Sequence, residues 1–320
     1  MSILLFLGFL TPFTATVFPQ KAALGKVGQA TTETAVNYSA LDDYISITSL
    51  PADKKRRAFR EASPADRATF FRLHLALQLV KLPDLTEAQA KLVLDAISVI
   101  NRDTYDVSNI EKRALAERDA LDLQNRSLSV FSPIKTSEIF AGLGGGPDEL
   151  EVLTRYQSII RVDSISDRKS LFRRLSVVER TKLWAIQLAY HLATDEELNS
   201  HQKEILFRGI KILRSTALEE NCEAEFAGTA LGKELTELEL DAIASFDKRE
   251  FNKVFVSLGG SGNCTIKGAY VTEVNPDCGC SLSYNDCTQT TTCSSGGCTK
   301  SCFGCGFLWL QSCNGECRRH

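Results

Sequence analysis

Two stretches of the chain, Phe59-Arg-Glu-Ala-Ser63-Pro-Ala-Asp66-Arg67 and Phe172-Arg-Arg-Leu-Ser176-Val-Val-Glu179-Arg180, are versions of one another. They lie 113 residues apart (59 to 172), and the same offset continues without gaps. It pairs Leu75 with Leu188, Ala76 with Ala189, Leu79 with Leu192, Leu85 with Leu198, Gln89 with Gln202 and Ile97 with Ile210. Register held over such a length implies duplication of one structural unit.

The retained positions are those a helix needs. Ser63 and Ser176 stand where a side-chain oxygen accepts a backbone N–H of the first turn. Asp66 and Glu179 follow three residues later, at the positive end of the helix dipole. Pro64 is harmless at the first helical position. Thr86-Glu-Ala-Gln89 and Asn199-Ser-His-Gln202 read as a second pair of capped starts. Behind the caps, Phe70, Leu73, Leu77 and Val80, and later Leu183, Ile186 and Tyr190, recur at helical spacing. Each unit therefore reads as a short helix, a longer one and a third. A charged helix over 109–123 and another over 230–246 complete the body. The glycine-rich runs Ala141–Pro147 and Ser257–Gly262 read as flexible breaks.

The expected fold is mainly α. It comprises a first helical repeat unit with its connecting helix over 39–141, a second over 148–256, and a small cysteine-rich, disulfide-stapled module over 264–320. Residues 1–20 hold an apolar run, Ile3 to Leu10, too short to span a bilayer and of the length of a signal-peptide core. The expectation is export to the cell envelope or medium, with no transmembrane span in the mature chain.

The chain has 320 residues and a formal net charge of -3. Such a balance gives no electrostatic ground for a nucleic-acid partner. No metalloprotease, phosphate-loop or nucleophile-elbow motif is present, so the reading is non-enzymatic, with no catalytic residues, cofactor or bound metal. His74 and His191 read as structural or solvent-facing. Lys54-Lys-Arg-Arg57 reads as a solvated helix face, and Arg67 and Arg180 as ion-pair or packing residues.

The eleven cysteines are placed unevenly: none precedes Cys222, and nine fall between Cys278 and Cys317. Ordering a residue costs roughly 1–2 kcal/mol, and the tail has few large apolar side chains with which to offset that. Each native disulfide contributes roughly 2–4 kcal/mol. Disulfides among Cys264, Cys278, Cys280, Cys287, Cys293, Cys298, Cys302, Cys305, Cys313 and Cys317 are therefore expected, enough for five bridges, with Cys222 left over as a buried thiol. The competing chemistry is zinc, for which Cys302-x-x-Cys305 has a suitable loop. Phe307-Leu308-Trp309-Leu310 has two readings: an exposed apolar patch that meets a membrane or a partner, or the tail's own core against its disulfides.

The run Cys278-Gly-Cys-Ser-Leu-Ser-Tyr-Asn-Asp-Cys287-Thr-Gln-Thr-Thr-Thr-Cys293, with the later Gly304-Cys-Gly-Phe-Leu-Trp309 and Cys313-Asn-Gly315, resembles the fulvocin C-related bacteriocin family. The spacing departs from that pattern at Cys298, Cys302 and Cys317. The resemblance covers about 40 residues, and the order of apolar N-terminus, helical region and cysteine-rich tail is similar too. It implies an exported bacterial protein with a bacteriocin-like tail directed at a bacterial membrane or envelope target. Three functions follow: an antibacterial precursor with a helical pro-region, a non-enzymatic surface or envelope binding protein, and a zinc-binding module.

Overall fold

The computed structural model describes residues 38–100, 110–140, 142–144, 146–215, 229–259, 291–295, 301–305, 307–313 and 316–319. The expected signal segment, Cys222 and all of the tail before Thr291 lie outside the described residues. The described chain is mainly helical, with twelve α-helices.

Six helices form the first unit: α1 (Ser39–Thr48), α2 (Ala52–Glu61), α3 (Pro64–Lys81), α4 (Glu87–Val99), α5 (Ile110–Val130) and α6 (Pro133–Phe140). Six form the second: α7 (Pro147–Ile160), α8 (Ile165–Arg173), α9 (Val177–Thr194), α10 (Ser200–Leu213), α11 (Ala230–Ser245) and α12 (Lys248–Phe251). The starts of α2, α3 and α4 recur 113 residues on, at α8, α9 and α10. The caps are made by the residues named above. Ser63 accepts Asp66 N–H. Thr86 with Gln89, Ser176 with Glu179 and Asn199 with Gln202 form complete capping boxes. A further match sits at an offset of 112: Leu41-x-x-Tyr44-x-Ser46-Ile47 in α1 and Leu153-x-x-Tyr156-x-Ser158-Ile159 in α7. Leu41, Tyr44, Leu153 and Tyr156 are all buried.

The units pack through equivalent helices. α3 lies against α9, and α1 against α7, as in a twofold homodimer in which one surface meets its own copy. Arg72 of α3 reaches Glu196 at 2.8 Å, Arg214 donates to the Leu79 carbonyl at 2.5 Å, and Arg161, which caps the end of α7, pairs with Asp42 of α1 at 2.9 Å. The core runs across both units without a break. Gly209 allows the close crossing of α9 and α10: a Cβ there would stand 2.6 Å from Leu188 Cδ1.

The described residues of the two glycine runs are pinned to the body. Gly144 N–H donates to His74 Nδ1 at 2.9 Å, and Lys55 Nζ donates to the Gly144 carbonyl at 2.8 Å. In the second unit Leu258 is buried, and Arg168 Nη1 donates to its carbonyl at 2.5 Å. Gly259 N–H donates to Gln187 Oε1 at 3.2 Å. Local glycine density implies slack, but the backbone polar groups of Gly144, the Leu258 carbonyl and the Gly259 amide are bonded to side chains of α2, α3, α8 and α9.

The described tail is β-structured. β1 (Thr291–Ser294) pairs antiparallel with β4 (Glu316–Arg319), and β2 (Ser301–Cys305) pairs antiparallel with β3 (Gln311–Cys313). The β2–β3 hairpin is thus nested, in sequence, inside the β1–β4 pair. In the β1–β4 register the Cα of Cys293 stands opposite that of Cys317.

Candidate functional site

The β2–β3 hairpin ends in a short 3-10 turn, Phe307–Trp309. This tip is seated in the helical body. Phe307 is 3% exposed, Leu308 0%, Trp309 0% and Leu310 6%, and all four belong to the same core as the helices. The expected exposed patch is therefore corrected, and so is its alternative of a core internal to the tail. A module this small cannot bury four large apolar side chains by itself; the second helical unit supplies the surface it lacks.

The slot is aromatic on three sides. Phe172 of α8 and Trp184 of α9 each meet Trp309 edge to face, at centroid separations of 5.1 and 5.6 Å, a geometry favoured by the ring quadrupoles. Phe251 and Phe255 stack on Phe307 at 6.0 and 5.3 Å. Lys169 Nζ sits over the Trp309 ring at 5.6 Å, a cation–π placement. The polar end of the indole is satisfied: Trp309 Nε1–H donates to the Val256 carbonyl at 2.7 Å.

That carbonyl comes from an irregular element. Residues Asn252–Val256 form a π-helical turn directly after α12, whereas α6 of the first unit is α-helical in the same place in the element order. π turns are rare and concentrate where a helix has been adapted to a local task. The Val256 carbonyl lies at the end of this turn and points its acceptor at the indole. The tip has its own cost. Leu308 and Trp309 both have positive φ, 52° and 50°, a region bulky L-residues rarely adopt. Such strain persists only where surrounding contacts over-determine it, and the aromatic slot provides those contacts.

The repeat relationship carries the chemistry of the slot into the first unit. At the offset of 113, Phe172, Trp184 and Lys169 correspond to Phe59, Phe71 and Arg56. Ring, ring and cation are kept in type. The π turn is not.

Among the cysteine candidates, Cys293 and Cys305 are each disulfide-bonded, and Cys305 is fully buried at the base of the tip. No complete cysteine pair falls among the described residues. The side chains of Cys264, Cys278, Cys280, Cys287, Cys298, Cys302, Cys313 and Cys317 lie outside them. Among the described residues no cluster of three or more His, Cys, Asp or Glu could hold a metal ion, and no helix is long and apolar enough to cross a membrane.

The buried histidines do structural work. His74 lies beside a cleft of about 520 Å³ lined by Gln78, Lys81, Lys135 and the Gly142–Gly144 turn. Its Nδ1 accepts Gly144 N–H, which leaves Nε2–H to donate to the Ile139 carbonyl at 3.0 Å. Both nitrogens are thereby committed, and burial lowers the imidazole pKa to about 4. His191 Nε2 takes the Gln187 amide at 3.1 Å, and burial, with Lys253 nearby, lowers its pKa to about 3. Neither ring has a lone pair left for general-base work. Of the Lys54–Arg57 run, Lys55 reaches the Gly144 carbonyl as described, while Lys54, Arg56 and Arg57 are exposed. Arg180 donates to the carbonyls of Phe172, at 3.1 Å, and Arg173, tying α9 to the end of α8.

Compared with protein-family models, curated proteins and solved structures, the chain matches none.

Proposed function

We propose that this chain is an exported, non-enzymatic, bacteriocin-like protein of the fulvocin C-related kind, in which the duplicated helical body carries the cysteine-rich tail as a bound cargo. The cysteine spacing and the Gly-Cys-Gly-Phe-Leu-Trp and Cys-Asn-Gly motifs support the first half of that reading. The seating of Trp309 between Phe172 and Trp184 supports the second. A tail meant to act at a membrane or envelope target has to keep its apolar side chains out of water until it arrives, and burying them in the body accomplishes that. The disulfides, up to five bridges over Cys264–Cys317, would hold the tail's shape after it leaves the body.

Mass spectrometry of the exported protein, alkylated with and without prior reduction, tests the reading together with a growth-inhibition assay on neighbouring bacteria. The expected result is a chain shortened at its N-terminus, tail cysteines that alkylate only after reduction, and inhibitory activity. A chain that keeps Met1, stays inside the cell and alkylates without reduction would overturn it and favour the zinc-binding module.

A second reading is favoured by the same buried tip. Because the tip shares its core with the body, an envelope binding or structural protein that is never cleaved would also be built this way. An intact chain retained on the cell, with no killing of neighbours, distinguishes it.

A further inference from the structure

Among the described residues, the aromatic and polar contacts that receive the tip come from the body: Lys169 and Phe172 from α8, Trp184 from α9, Phe251 from α12, and Phe255 with the Val256 carbonyl from the π turn. The occupant comes from a separate β-hairpin, 53 residues further along the chain from Val256 to Trp309. The contacts are those that dominate the energy of complexes between separate chains: aromatic anchors in a desolvated pocket, with the one polar group of the anchor paired. The tip is also pre-shaped. β2 and β3 hold its two ends, so less freedom is lost on docking than for an unstructured segment.

We infer that the second helical unit is a receptor for the tail's own hairpin tip, and that it holds the tail non-covalently after the connecting chain between body and tail is cut. The covalent connection raises the local concentration of the tip, but the contacts named above are all made by residues outside that connection. The body is then the tail's first binding partner, and release of the tail requires displacement of Trp309 as well as cleavage. The inference holds whether or not the tail kills bacteria, so its test is separable from that of the proposed function.

The test uses the full-length protein with a specific protease site placed between Gly260 and Cys264. Cys222, the one cysteine ahead of that site, is replaced (Cys222→Ser) so that no disulfide can join the fragments. After cutting, body and tail are expected to co-elute on size exclusion at micromolar concentration without reductant, with tryptophan emission unchanged. In a Trp309→Ala version that keeps its helical circular dichroism, the cut tail is expected to elute separately. Trp309→Phe, which keeps a ring and loses the N–H, should weaken retention about tenfold. Separation of the unmodified tip from the body on cutting would overturn the inference. So would co-elution of the Trp309→Ala tail to the same extent as the unmodified one.

Discussion

Gln187 in α9 does what His74 does in α3, 113 residues earlier. His74 joins the Ile139 carbonyl to the Gly144 amide. Gln187 joins the Lys253 carbonyl, at 3.1 Å, to the Gly259 amide. One turn on, the residues are exchanged: Gln78 touches His74, and His191 touches Gln187. Each unit thus clamps its last helix and the segment after it onto its central helix with one buried His–Gln pair, written in opposite order.

This pairing has a pH signature. Both imidazoles are held neutral by burial, with pKa values lowered to about 4 and about 3 from the ordinary 6.5. Between those values and 6.5 the unfolded chain binds protons that the folded chain refuses, so stability rises with pH in that window. The contribution is complete above about pH 6.5 and is lost as pH falls toward 4 and below. The loss should be on the order of a few kcal/mol, read as a fall in denaturation midpoint. His74→Gln/His191→Gln should flatten the dependence between about pH 6.5 and 4, leaving only that of the carboxylates.

The two tryptophans of the slot should respond unequally to a conservative change. Trp309 Nε1–H is spent on Val256 O, so Trp309→Phe should cost about 1–2 kcal/mol. Trp184 Nε1 is buried with no hydrogen-bond partner, and its counterpart in the first unit is Phe71. Trp184→Phe should therefore change stability by less than about 1 kcal/mol. Urea denaturation of both variants checks the difference.

Gly259 has φ +90°, and a Cβ there would stand 2.6 Å from Arg168 Nη1 and 3.0 Å from Ile160 Cβ. Gly259→Ala should cost roughly 1–3 kcal/mol through backbone strain and displacement of Arg168. Thermal unfolding followed by circular dichroism reads the loss.

Arg168 is buried and ties α8 to the Leu258 carbonyl, as Lys55 ties α2 to Gly144. Arg168→Ala should cost about 2–3 kcal/mol. Arg168→Lys, which installs the residue of the equivalent position, should recover part of it. The checking measurement is the denaturation midpoint of the two variants side by side.

The helical framework was legible in the sequence because capping and apolar spacing are local. Ser63, Ser176, Thr86 and Asn199 each announce a helix start that the structure contains. The match of Leu41-x-x-Tyr44 to Leu153-x-x-Tyr156 escapes a fixed offset of 113 because the connection between α7 and α8 is one residue longer than that between α1 and α2. The pinning of Gly144 and Gly259 was not legible: a glycine needed for an amide contact or a positive φ looks, locally, like a glycine in a slack linker. The burial of Trp309 was least legible of all. Its partners Phe172 and Trp184 lie more than a hundred residues away, in helices that read as complete without it.

The packing of equivalent helices, α3 on α9 and α1 on α7, bears on stoichiometry. A true homodimer with this interface would carry two identical slots and so commit two tails to each pair of units. Fusing the copies into one reading frame lets the halves diverge: one gains a π turn at Asn252–Val256 and seats Trp309, while the other keeps its helix. A frame with twofold geometry can then carry an odd passenger, one tail to each pair of units, a ratio that perfect symmetry forbids.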